Sequence, residues 1–213
     1  MLDVHVVAIG AFGEELAAQL ANDYQLQVST TRYEAFDSAR WPRSRVQVVA
    51  CAREEPRAFE LADSMAYALR RPWLAAALDA TSLRVGPLVD GAESACYSCF
   101  VARQYQHQRF LSTDKELFAA YRQDPSLGVR GHLSAHVALA ASAARTCIDA
   151  VLAGRSDESG RVRRFGLLTP HVSVETVVPV HGCRRCDAQR PDASWADLAR
   201  DVALLPGRGA EVV

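Results

Sequence analysis

Two cysteine pairs with the same interval, Cys96-Tyr-Ser-Cys99 and Cys183-Arg-Arg-Cys186, are the sharpest chemical signal in the sequence. A two-residue interval lets one tight turn aim two thiolates at a single ion, and two such turns complete a tetrahedron of sulfur. Zinc is the expected ion. Four sulfurs leave no open coordination position, so the site is read as structural, clipping together segments 83 residues apart and lending binding energy to folding. Gly91 lies ahead of the first pair and Gly182 immediately ahead of the second, which suits turn geometry. Thioredoxin-type dithiol chemistry and disulfides stay open as alternatives. The redox alternative wants a pair that opens a helix right after a first buried strand, and neither pair is expected there.

A second candidate is Gly10-Ala-Phe-Gly13-Glu-Glu15, which follows one apolar run and opens a helical pattern. Glycine-rich turns in that setting place backbone N–H groups and a positive helix end around phosphates. Here Phe12 and Glu15 occupy positions where absent side chains normally admit a pyrophosphate, and Glu15 adds a competing charge. The turn is therefore expected to bind nothing. His132 and His136 sit one helical turn apart without the glutamate of a zincin pattern, and are expected at the surface or in the core. Cys51 and Cys147 behave as small apolar residues. Arg161, Arg163, Arg164, Arg184 and Arg185 are expected to be solvated, a site for an acidic peptide being the sharper alternative. No G-x-S-x-G elbow and no triad can be assembled.

These residues must be positioned by an α/β framework. Val4–Ile9 reads as a strand, Glu14–Leu20 as a helix, and Leu26–Ser29 and Arg45–Cys51 as further strands, the last apolar enough to be buried on both faces of a parallel sheet. Pro56 opens a helix to about Leu69 that Pro72 terminates. Trp73–Asp79 and Leu83–Val89 read as the fourth and fifth strands, with a bend at Gly86-Pro87. Polar helical stretches run to about Phe110 and around Lys115–Tyr121. His132–Leu152 is an alanine-rich helix stopped by Gly154. Val162–Leu168 and His171–Val180 read as strands, the latter placing Val172, Val174, Thr176 and Val178 on one side. Asp192–Leu205 is expected to be a last short helix before a tail.

With 49% hydrophobic and 23% charged residues over 213 positions, disorder and collagen are excluded and a core can form without staples. Basic and acidic residues balance at 24 and 25, so no global field draws nucleic acid or an anionic membrane. Only Lys115 among the basic residues is a lysine, a bias with no functional weight. No secretory signal is visible at Met1–His5, and Val137–Ala144 falls far short of the ~20 residues a bilayer span needs. A cytoplasmic, reducing location is the expectation, which favours metal ligation over disulfides.

Taken together, the Gly10 turn, the segment Val85-Gly-Pro-Leu-Val-Asp-Gly-Ala-Glu-Ser-Ala-Cys96-Tyr-Ser-Cys99, the long helix after Gly131 and the terminal Cys183-x-x-Cys186 resemble the ThiF-like, ubiquitin-activating-enzyme-like superfamily. Within it the chain looks closest to divergent members that accompany YcaO-type cyclodehydratases in making thiazole- and oxazole-modified peptides. The resemblance implies an abridged Rossmann-like, mostly parallel sheet with flanking helices and a zinc site of four cysteines. It implies one domain over residues 1–213: a Rossmann-like half at 1–90, a zinc-clipped half at 91–205 and a flexible tail at 206–213. Active members adenylate a peptide carboxylate with ATP, using a fuller glycine turn, an acidic residue on the ribose, an arginine and a metal-binding aspartate. This chain departs at Phe12 and Glu15, at Val28-Ser-Thr-Thr31 where no ribose acid stands, and at Cys51-Ala-Arg53 where the aspartate is expected. Gly10 and Val46 lie only 36 residues apart.

The implied role is a non-catalytic scaffold in ribosomal peptide natural-product maturation, presenting a precursor peptide to a YcaO-type cyclodehydratase or related enzyme. ATP binding is not expected. An ATP-dependent adenylating enzyme and a dithiol oxidoreductase are the alternatives. The first strand starts by residue 4, leaving no room for an amino-terminal leader-binding domain, so leader recognition is expected from another protein or an exposed sheet edge. Homodimerisation is compatible with the family.

Overall fold

The computed structural model describes residues 1–30, 41–79, 81–91, 94–107, 111–124, 127–128 and 131–186. Its elements in chain order are β1 (Leu2–Ile9), α1 (Gly10–Leu20), β2 (Leu26–Thr30), β3 (Ser44–Cys51), α2 (Pro56–Leu69), β4 (Trp73–Leu78), β5 (Ser82–Val89), α3 (Tyr97–His107), α4 (Leu111–Gln123), α5 (Ser134–Leu152), β6 (Arg161–Gly166) and β7 (Val172–Thr176). The helix expected over Asp192–Leu205 and the tail lie outside the described residues.

The strands form one sheet in the order β2-β1-β3-β4-β5-β6-β7. It is mixed, not mostly parallel: β2, β1, β3 and β4 run parallel, while β5, β6 and β7 are each antiparallel to the strand before them. The reason is the connection. β4 turns directly into β5, with the Asp79 N–H donating to the Ser82 carbonyl at 2.7 Å, and a turn that short can only deliver an antiparallel neighbour.

Both faces of the sheet are covered. On one, α1 and α5 bury Phe12, Leu16, Leu20, Val137 and Ile148 against β1, β3 and β5; on the other, α2 and α3 bury Phe59, Tyr97 and Phe100 against Trp73 and Val49. α5 is the one helix among the described residues long and apolar enough to cross a bilayer, so the apolar segment is longer than Val137–Ala144 suggested. Here Val137, Ala140, Ala144 and Cys147 are fully buried against the core. β7 behaves differently. Its Val172 and Val174 are 60% and 54% exposed, so the alternation legible in the sequence marks an apolar face that no described element covers.

Helix α1 approaches the sheet closely at Gly13, in the second half of the strand-to-helix motif. A Cβ built there would sit 2.6 Å from the Ala50 carbonyl oxygen and 3.0 Å from Ala8 Cα. At the other end of β1, buried His5 bridges three strands, bonding Gln47 through Nδ1 and Ser29 Oγ through Nε2 at 2.9 Å. Gln47 Nε2 donates to Ser44, which leaves its oxygen as acceptor and makes His5 Nδ1 the donor, so Nε2 accepts from Ser29. That is a neutral imidazole. Burial lowers its pKa below 6.5.

Two outcomes follow from these contacts. Gly13→Ala should gain roughly 1 kcal/mol of helix propensity yet lower the melting temperature, because a backbone clash costs ~1–3 kcal/mol. For His5, the unfolded chain binds more protons than the folded one just below pH 6.5, so stability is full above that pH and declines as the pH falls through the lowered folded value. Melting curves between pH 7 and pH 5 should show that decline, flattened in His5→Gln.

Candidate metal centre and the first strand-to-helix turn

Four cysteines from two distant segments meet. Cys96 precedes α3, Cys99 lies in its first turn, and Cys183 and Cys186 belong to a turn after β7. Their ligand atoms all lie within 4.8 Å of one another. The sulfur separations are 3.8 Å for Cys96–Cys99, 3.6 Å for Cys96–Cys183 and 3.5 Å for Cys99–Cys186. A tetrahedron with zinc–sulfur bonds of about 2.3 Å has edges of about 3.8 Å, whereas a disulfide needs about 2.05 Å. The residues therefore fit a tetrahedral site of four thiolates around one ion, and none of the six cysteines forms a disulfide.

The first pair opens α3, but the strand before it is β5 and not the first buried strand that a thioredoxin-type site wants. The cluster is largely buried: Cys96, Cys99 and Cys186 are buried with Ala95, Cys183 is half-buried, and the Val180 N–H donates to Cys99 Sγ at 3.3 Å. Burial and the adjoining sulfurs push the Cys96 thiol up. Burial also acts against the Cys183 thiolate, yet hydrogen bonds from the Cys186 and Arg185 N–H groups and neighbouring thiols bring it to about 7.

Two carboxylates tie this cluster to the sheet, and neither was singled out from sequence. Asp63, buried on α2, accepts from Trp73 Nε1 at 3.2 Å and the Tyr97 N–H at 3.3 Å, and lies 3.5 Å from Arg185 in the second knuckle. The signal for it was an acid on the apolar face of α2, one turn from Phe59. Glu54, partly buried, receives Arg84 Nη2 on both oxygens at 2.7 Å and the Tyr97 hydroxyl at 3.1 Å. Arg84 lies between the Phe59 and Phe100 rings, at 5.2 and 4.8 Å from their centroids. Its signal was a single charge within the apolar run Leu83–Val89.

The strand-to-helix turn is built differently from the expectation. α1 starts at Gly10 itself, where φ is +71°, directly after Ile9. Phe12 is wholly buried in the core instead of standing over the mouth. Glu15 lies in the second helical turn and pairs with His132 Nε2 at 3.0 Å, while the His132 ring meets Phe12 edge-on at 5.7 Å. His136 Nδ1 accepts from the Leu133 N–H at 3.3 Å at the start of α5, so each histidine is held by a different neighbour, His132 by Glu15 and His136 by the helix start. Gly13 is a packing glycine. At the end of β3, Cys51 is fully buried and Arg53 pairs with Glu55 at 2.6 Å, its guanidinium 4.1 Å above the Tyr121 ring. The acids that follow β3, Glu54 and Glu55, are both engaged by arginines.

Of the arginines expected in solvent, three are not. Arg163 pairs with buried Glu158 at 2.6 Å and donates toward Cys147 Sγ at 3.5 Å. Arg164 lies half-buried, 5.6 Å from the Phe100 centroid. Arg185 donates to Ser64 Oγ at 2.8 Å and covers the Tyr67 ring at 5.1 Å. Arg161 has an open side chain 3.7 Å from Glu158, and Arg184 is exposed beside Tyr67.

No family model and no curated protein matches the chain. Solved structures do. A heterocyclase in complex with substrate and cofactor superposes with a TM-score of 0.62 at 12% identity over 87% of this chain and 26% of its own length. The heterocyclase TruD gives 0.60 at 20% identity over 87% and 28%. MccB of E. coli gives 0.60 at 12% over 86% of this chain and 66% of MccB. The chain thus spans about a quarter of each heterocyclase and about two thirds of MccB, and it is their fold that it shares.

Proposed function

We propose that the chain is a zinc-stabilised, nucleotide-incompetent partner protein in ribosomal peptide maturation, which holds a precursor peptide for a YcaO-type cyclodehydratase or related enzyme. The observation that carries this reading is the end of β3. Where an adenylating site needs a free carboxylate for a metal ion, Arg53 stands paired with Glu55, and Glu54 is committed to Arg84. An adenylation transition state then has no source of charge stabilisation there. The likeness of fold to heterocyclases and to MccB supports the setting in peptide modification. In this reading Cys96, Cys99, Cys183 and Cys186 hold the ion, Gly10 serves the positive-φ start of α1 and Gly13 its close packing, neither of them phosphate, residues 1–213 act as one unit, and a separate protein can supply leader recognition.

Zinc should be present at one ion per chain by elemental analysis. Cys96→Ser and Cys183→Ser should each lose it and several degrees of melting temperature, since metal binding is folding energy. An unchanged melting curve would count against a structural ion, and metal-free protein with a reversible disulfide would favour the oxidoreductase. Calorimetry with ATP and magnesium should show no saturable heat and pyrophosphate exchange should be absent; both signals together would restore the adenylating alternative. Co-expression with a YcaO-type cyclodehydratase and its precursor peptide should yield a complex on affinity purification.

A further inference from the structure

The outer edge of β7 and the groove beside it form a second place of interest. Gly166 N–H donates to the His171 carbonyl and Val177 N–H to the Gly160 carbonyl, which fixes the register of β6 against β7. Odd-numbered residues of β7 therefore spend their backbone groups on β6. Val172, Val174 and Thr176 direct theirs away from it, and among the described residues β7 is the last strand of the sheet. Beside this edge, between α3 and β6, runs an open groove of about 720 Å³ lined by Phe100, Val162, Val177 and Arg164. Arg103 fixes its wall, donating to the carbonyls of Val178 at 3.0 Å and Pro179 at 2.9 Å.

The charge in the groove is Arg164. Its guanidinium rests against Phe100 and donates no hydrogen bond to a described residue. Ser173, its cross-strand partner, is small and leaves it open. Glu175 is the groove's one lining carboxylate among the described residues; it is exposed and held by Ser173 Oγ at 2.9 Å, leaving Arg103 and Arg164 in excess. The opposite face of the edge carries exposed Val172 and Val174. Added strands gain affinity from main-chain hydrogen bonds and specificity from alternate side chains.

We infer that β7 and its groove bind an extended peptide segment in which apolar residues alternate with polar and acidic ones. The apolar side chains lie beside Val172 and Val174, and an acidic one reaches across Ser173 to Arg164. This rests on the reading of the chain as a peptide-holding partner and names the segment it holds.

The probe is a fluorescein-labelled nonapeptide, Thr-Val-Glu-Val-Thr-Val-Glu-Val-Thr, titrated with the full chain and followed by anisotropy. Saturable binding is expected, weakened about tenfold or more by Arg164→Gln in the protein or by Gln for Glu in the probe. Val174→Pro removes an outward N–H and leaves the β6 pairing intact, so it should abolish binding without lowering the melting temperature. N-methylation of alternate probe residues should do the same. No saturable signal, as when residues 187–213 of the chain hold the edge, overturns the inference. So does equal binding of the methylated probe, or a dimer in sedimentation that Val174→Pro dissociates. A protein that binds the probe but retains no cyclodehydratase keeps this inference and loses the reading above; one that retains the enzyme but ignores the probe does the reverse.

Discussion

Convergence of four thiols on one point is the constraint to which the second half of the molecule answers. Cys96 and Cys99 are fixed by the start of α3, and Cys183 and Cys186 arrive only after α4, α5, β6 and β7 have been laid down. The intervening chain is therefore a loop whose two ends meet at four sulfur atoms, and among the described residues the turn after β7 packs only into a small apolar cluster. The third core cluster consists of Ala95 and three of the cysteines, with Val177, Val180 and Cys183 packed against it. So small a cluster holds a chain segment weakly by apolar burial, which is why coordination suits this place. Asp63 extends the tie by joining Trp73 on β4, the Tyr97 N–H on α3 and Arg185 in one buried carboxylate.

Next to it lies the Arg84–Glu54 pair, an unusual object for a sheet interior. Taking two charges out of water costs about as much as their attraction returns, so such a pair adds little net stability while punishing the loss of either member. Its geometric effect is larger. Glu54 follows β3, Arg84 sits in β5 and the Tyr97 hydroxyl completes the bonds, so the loop after β3, the strand across β4 and the helix that carries Cys99 share one arrangement.

Periodicity and punctuation made most elements legible. Pro56 and Pro72 bracketed α2, Gly154 ended α5, and the apolar run before Gly10 placed β1, because these signals act within a few residues. Sheet direction was less legible: whether β5 runs with or against β4 is decided by a turn too short for a crossover, and the strand pattern alone is silent on it. The cysteine spacing disclosed the four sulfurs, since two-residue intervals have few uses. Asp63, Glu54 and Arg84 stayed hidden because their roles depend on partners distant in sequence, 10 residues on for Asp63–Trp73 and 30 or more for Arg84–Glu54 and Asp63–Tyr97. Phe12 and Glu15 face otherwise than expected for a related reason, as the turn's sequence does not say where on the helix a side chain points, and α1 begins at Gly10 itself.

The depth at which Phe12 is set also fixes what this position tolerates. A glycine there would strip a ring from the packed layer under α1 and α5, at a cost of ~3–5 kcal/mol against a total stability of ~5–15 kcal/mol. An aromatic residue at the start of a helix, where sequence suggests an obstacle, is thus a member of the hydrophobic layer it completes.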